Sequence, residues 1–176
     1  ELYPQLGSRR LRVLDIGCGP AAFYARYHEV AAMGYVGIEP NGDYVDDARQ
    51  RFPGIELYAG TVSQVRERIS GVFDLIVLEG VLHHVDDATA TEALAFAGSR
   101  LETSGHVVAL DPVFLGGQHP VARALALLDR GKHVRTLEGY RTLAERALRV
   151  STVTVRALAG HLCVPYDHSV LTVRLS

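Results

Sequence analysis

Carboxylates, glycines and histidines stand in the first half of this chain at spacings that suit chemistry. Asp15, Gly17, Cys18 and Gly19 close a mostly apolar run that begins at Leu11. Glycines let a backbone approach a ligand with no Cβ in the way, and a helix opening just after them directs its free N–H groups at the same spot. The turn is therefore a cradle for part of a nucleotide-like cofactor. Glu39 ends a second apolar run and is followed by Pro40. Glu79 and Gly80 end a third run, with His83 and His84 close behind and Asp111 and His119 further on. Imidazoles accept protons near neutral pH, so His83, His84 and His119 are the candidate bases.

Strands must carry these residues, and helices must follow them. Residues 11–16 alternate little, as in a central parallel strand buried on both faces. A helix is predicted over 20–33, with Phe23, Tyr27 and Val30 on one face and Gly34 closing it. Strands over 35–39, 55–58 and 72–78 are separated by helices over 43–52 and 62–69. Ala90, Leu94, Ala97 and Leu101 form one stripe of a helix over 87–102, and a fifth strand over 105–110 stops at Asp111-Pro112. A Gly-containing loop over 113–118 precedes helices over 120–129 and 137–147, the latter begun by Thr136. Strand-like segments 149–158 and 163–174 follow, and the short link between them permits an antiparallel hairpin but no parallel crossover. This order predicts an α/β fold with a doubly wound, mostly parallel sheet in a single domain spanning 1–176.

Two cofactor families can claim the glycine turn. Gly17-x-Gly19-x-x-Ala22 satisfies the dinucleotide fingerprint in its Ala-ended form, and Glu39 fits it as well. Asp15-x-Gly17-x-Gly19 also resembles motif I of class I S-adenosylmethionine-dependent methyltransferases. Phe73–Val85, with Glu79-Gly80 and His83-His84, is similar to the fourth-strand motif of small-molecule methyltransferases. Five β/α units and a terminal hairpin match the Rossmann-like fold of that family. The resemblance implies that Asp15 contacts the methionine part of the cofactor and that Glu39 binds ribose. It further implies that Pro40 packs near adenine and that Glu79 and Gly80 lie beside the methionine and the methyl group. Gly60-Thr61-Val62 stands where the family often has Gly-Asp, so adenine contacts fall to the backbone around Thr61 and Val62. Thr61-x-x-Gln64 is also a capping box for the helix after it. No Gly-Lys-Ser/Thr follows the turn, which excludes a Walker-type phosphate loop.

Bulk properties narrow the partners. A net charge of −2, with Lys132 as the only lysine, gives no basic tract for nucleic acid. Cys18 and Cys163 make neither a disulfide framework nor a metal spacing, and Cys18 reads as a small buried side chain. No metal is expected: adjacent histidines are expected to diverge, and no third ligand has suitable spacing. No apolar run reaches membrane-spanning length and no signal peptide is visible, so the cytoplasm is the default. The chain starts at Glu1 without a methionine and reads as a fragment or a trimmed chain. Helices upstream of the first strand usually complete the pocket in the resembled family, so a lid is expected to be missing or supplied by a partner.

The resemblance implies in-line transfer of a methyl group from S-adenosylmethionine to an oxygen or nitrogen of a small-molecule acceptor. The alternatives are an NAD-dependent oxidoreductase and a non-catalytic cofactor-binding module. Residues 111–147 are expected to form a substrate-side insertion, with Asp111–Arg135 as one wall of the acceptor pocket. Asp129–Arg135 reads either as a basic loop for an acidic acceptor or as solvated surface.

Overall fold

The computed structural model describes Tyr3, Leu6 and residues 10–148, 151–158 and 167–175. Its strands are β1 (Leu11–Ile16), β2 (Met33–Glu39), β3 (Glu56–Ala59), β4 (Phe73–Glu79), β5 (Leu101–Phe114), β6 (Arg135–Thr136), β7 (Ser151–Leu158) and β8 (His168–Leu175). The helices are α1 (Ala22–Tyr27), α2 (Gly42–Arg51), α3 (Val62–Val65), α4 (Asp87–Ser99), α5 (Pro120–Leu128) and α6 (Leu137–Ala147). Short 3₁₀ turns cover Arg66–Arg68 and Leu82–His84.

The sheet order is β3-β2-β1-β4-β5-β8-β7, with β6 paired beside β5. Strands β1 to β5 run parallel, whereas β8 is antiparallel to both β5 and β7. The fold is thus the mixed, mostly parallel α/β sheet with a terminal hairpin that the sequence predicts. Chain order reverses between β1 and β4, so the crevice for a ligand lies beyond the carboxyl ends of those strands.

Strand residues alternate between two apolar cores. Leu14, Ile76 and Leu78 pack on the face that holds Val65, Leu94 and Tyr140 of α3, α4 and α6. Val13, Leu75 and Val77 pack on the opposite face, with Phe23 of α1 and with Val45 and Ala48 of α2. Burial on both faces is why these strands read as continuous apolar runs.

Several boundaries differ from the sequence reading. The first helix is only α1: Val30 lies outside it and is exposed, and Gly34 is inside β2. The fourth helix ends at Ser99, and Leu101 instead pairs with Phe73 at a register shift in β5. That strand continues through Asp111-Pro112 because β8 pairs with it to Pro112↔His168. Proline lacks only the donor, so an antiparallel neighbour can still take the rest of the ladder. The part of the last predicted strand before Asp167, including Cys163, lies outside the described residues. Within 111–147, α6 is a core helix: Tyr140, Leu143 and Ala144 are buried, and the Tyr140 hydroxyl donates to the Pro112 carbonyl at 2.9 Å.

Candidate functional site

The glycine turn sits on β2. The N–H groups of Gly17 and Cys18 both donate to the Ile38 carbonyl, at 2.8 and 3.0 Å. Gly17 (φ 72°), Gly19 (φ 53°) and Ala21 (φ 60°) all take left-handed backbone, which costs an alanine about 1–2 kcal/mol. A Cβ on Gly17 would lie 2.6 Å from a Val81 methyl, whereas one on Gly19 would meet nothing within 4 Å. The open approach is therefore over Gly19, and Gly17 is the closely packed position. Cys18 is buried against Gly37, where an added Cβ would come within 2.7 Å of its sulfur. Burial pushes the Cys18 thiol up, so it is a packing residue with a poor nucleophile.

Carboxylates surround this turn. Asp15 is buried at 2% exposure and accepts from the Tyr35 hydroxyl at 2.6 Å. Burial, with smaller contributions from Glu79 and Glu39, raises its pKa to about 7, against the opposing Tyr35 hydrogen bond. Glu39 accepts from the Gly19 N–H at 2.9 Å and from the Asn41 N–H at 2.8 Å, tying the turn to the start of α2. Glu79 accepts from the Tyr3 hydroxyl and lies 3.7 Å from the Arg26 guanidinium. Tyr3 is itself buried edge-on against Phe23 and Tyr27. Such a set favours a cationic ligand and opposes an anionic pyrophosphate.

An apolar cleft of about 100 Å³ adjoins the turn, lined by Ile38, Pro40, Gly60, Thr61, Val62 and Val81 among others. Thr61 caps α3: the Gln64 side chain accepts from its backbone N–H at 2.8 Å, closing the capping box. Pro40, Thr61 and Val62 thus border one small apolar cleft.

The histidines lie past β4. Gly80 (φ 71°) turns the chain, and a Cβ there would be 3.7 Å from the His83 ring. His83 is buried, with Nδ1 2.7 Å from Asp111 Oδ1 and Nε2 3.2 Å from Asp129 Oδ1. The His83 and His84 rings do not diverge as expected: their centroids are 4.0 Å apart. Two residues in a 3₁₀ turn can keep their rings together when a third element, here the loop with Asp129, clamps one of them. His84 lines a cavity of about 400 Å³ with Leu125, Leu128, Asp129 and Arg130. Burial, and next His83, lower the pKa of His84. His119 is exposed, and its ring nitrogen caps α5 by accepting from the Val121 N–H at 3.2 Å, so it is not gathered with the other two.

The loop Asp129–Arg135 is not simply a basic recognition surface. Arg135 donates to the carbonyls of Leu82, Val85 and His133 and pairs with Asp87 at 2.7 Å. It fastens the loop to the histidine turn. Sequence reasoning missed Tyr3, Arg26, Tyr35 and Asp129, whose partners are remote in sequence; a lone buried-type tyrosine in β2 was the only local signal.

A family model described as a methyltransferase domain matches residues 13–105. A curated relative, an uncharacterized methyltransferase of Alkaliphilus oremlandii, is 29% identical over 101 residues, covering 57% of this chain and 45% of the relative. This chain therefore spans less than half of that relative's length. Among solved structures, a TehB-like methyltransferase from Corynebacterium glutamicum gives a TM-score of 0.73 at 20% identity, covering 99% of this chain and 85% of that one. The mitomycin 7-O-methyltransferase MmcR gives 0.74 at 18% identity, covering 99% of this chain and 50% of that one. The O-methyltransferase NcsB1, solved with S-adenosylmethionine and 2-hydroxy-5-methyl naphthoic acid, gives 0.70 at 20% identity, with 97% and 49% covered. With its motif, its sheet order and its matched domain in agreement, the chain belongs to the class I S-adenosylmethionine-dependent methyltransferases.

Proposed function

We propose that this chain transfers the methyl group of S-adenosylmethionine to an oxygen or nitrogen of a small-molecule acceptor by in-line displacement. The observation that carries the reading is the set Asp15, Glu39 and Glu79 around the open backbone of Gly19. Bound there, the cofactor supplies an already activated methyl on a sulfonium. The protein's own part is to orient both reactants and exclude water. Glu79 offsets the ligand's positive charge, and that charge draws Asp15 toward its ionised form. Glu39 spends one lone pair per oxygen on the Gly19 and Asn41 N–H groups and keeps others for ribose hydroxyls. The cleft between Pro40 and Val62 receives the base.

The cavity beside His84 is the acceptor's place in this reading. A histidine whose pKa is lowered is neutral at pH 7 and ready to take the acceptor's proton. His83, held by Asp111, positions its neighbour through their ring contact. The aromatic acid named with NcsB1 supports a small-molecule acceptor as the substrate class.

The test is turnover with methyl-labelled S-adenosylmethionine and a panel of small phenols, hydroxy acids and amines. Label is expected in an acceptor-dependent product, and His84→Ala is expected to lower kcat by about 10²-fold while leaving S-adenosylhomocysteine affinity unchanged. An unaltered kcat in His84→Ala would remove the histidine from the reaction.

A further inference from the structure

We infer that His83, His84 and Asp129 form a site for one divalent transition-metal ion of the zinc type, at the wall of the acceptor-side cavity. Each offers a ligand atom, and these atoms all lie within 4.8 Å of one another. His83 Nε2 and Asp129 Oδ1 are 3.2 Å apart, close to the about 3.3 Å edge that zinc–ligand bonds give at tetrahedral angles. Two histidines and one carboxylate with a fourth position open is the ligand pattern of catalytic zinc, and it also suits other late first-row ions.

The surroundings are built for such an ion. The remaining ring nitrogen of His83 meets the buried carboxylate of Asp111 at 2.7 Å, the outer-shell arrangement that fixes tautomer and ring orientation in metal-binding histidines. Asp111 is held in turn by the His83 backbone N–H at 3.1 Å, while its Oδ2 is buried with no hydrogen-bond partner.

The loop bearing Asp129 is fixed on the histidine turn. Gly131 packs so closely that a Cβ there would lie 2.1 Å from the His83 ring and 2.5 Å from its carbonyl oxygen. The His133 N–H donates to that carbonyl at 3.0 Å, and the Gly131 N–H donates to Asp129 Oδ1 at 2.7 Å. The ion therefore joins the connection after β4 to the loop after α5. His84 and Asp129 line the same cavity as Leu125, Leu128 and Arg130, so an acceptor oxygen bound there would be within reach of the ion. That role at the acceptor end rests on the methyl-transfer reading and takes the place of His84 as free base, since a coordinated imidazole has no lone pair left for the acceptor's proton; the ion site rests on ligand geometry alone.

The test titrates the metal-free chain with Zn²⁺ by calorimetry and with Co²⁺ by visible absorption, measuring S-adenosylhomocysteine affinity on the same samples. One ion per chain is expected, with the strong visible bands of four-coordinate Co²⁺ that Zn²⁺ displaces. Asp129→Asn, at a partly buried side chain, and His84→Ala, at an exposed one, are each expected to weaken binding by more than the roughly 10–100-fold that loss of an outer-shell partner costs. Absence of stoichiometric binding, or affinity unchanged in both variants, overturns the site. Lost Zn²⁺ binding with S-adenosylhomocysteine still bound overturns the metal site only; the reverse outcome overturns the methyl-transfer reading and leaves the metal site standing.

Discussion

A carboxylate taken out of water and set near two others holds its proton far longer than one in solution, and Asp15 does so to about pH 7. The unfolded chain gives up that proton near pH 4, whereas the folded chain keeps it, so between these values the native state binds more protons. Native stability is therefore expected to fall as pH rises across that window. Asp15→Asn removes the desolvated charge but still accepts from Tyr35. It should flatten the fall, make the free protein more stable than the wild type at pH 8 in urea denaturation, and weaken S-adenosylhomocysteine binding by about 1–3 kcal/mol. A variant with unchanged ligand affinity would take Asp15 out of the cofactor site. The Asp15, Gly17 and Gly19 spacing was legible in the sequence because a strand-to-helix turn is a local event. The Tyr3 and Arg26 contacts to Glu79 were not, since they arise only when α1 and Tyr3 come to lie beside the end of β4.

Elements show the same division between local and remote signals. The capping box at Thr61, the Thr136 cap of α6 and the apolar run of β4 were readable because each depends on neighbours a few residues away. The end of α4 and the length of β5 were not, because pairing with Phe73 on one side and with β8 on the other overrides the helical stripe near Leu101. Arg135 is the clearest case of an element held by a distant residue. Its guanidinium, 10% exposed, bonds the Leu82 carbonyl in the 3₁₀ turn that carries His83 and His84 and the Val85 carbonyl just after it. Arg135→Ala strands those carbonyls and is expected to cost about 2–3 kcal/mol in chemical denaturation. Turnover should drop with it while S-adenosylhomocysteine affinity holds, because the cofactor turn lies on other elements. Equal losses in both would mean that the histidine turn and the cofactor turn act as one unit.

At the scale of the whole molecule, one sheet brings the three acids to the same edge. Asp15, Glu39 and Glu79 emerge from the carboxyl ends of β1, β2 and β4, around the point where strand order reverses. The alternation of strands and helices predicted that placement, and the terminal hairpin distinguished the fold from a sheet that continues through parallel crossovers. No helix among the described residues is long and apolar enough to cross a membrane. The glycines of the turn suit two cofactors equally; the acids around them do not. A dinucleotide would set its pyrophosphate against a field of carboxylates, whereas the α-ammonium of the methionine moiety is drawn to it. Calorimetry with S-adenosylhomocysteine and with NAD on the same protein tests this most directly. Stoichiometric binding of S-adenosylhomocysteine and none of NAD is expected; tight NAD binding without S-adenosylhomocysteine binding would overturn the cofactor assignment.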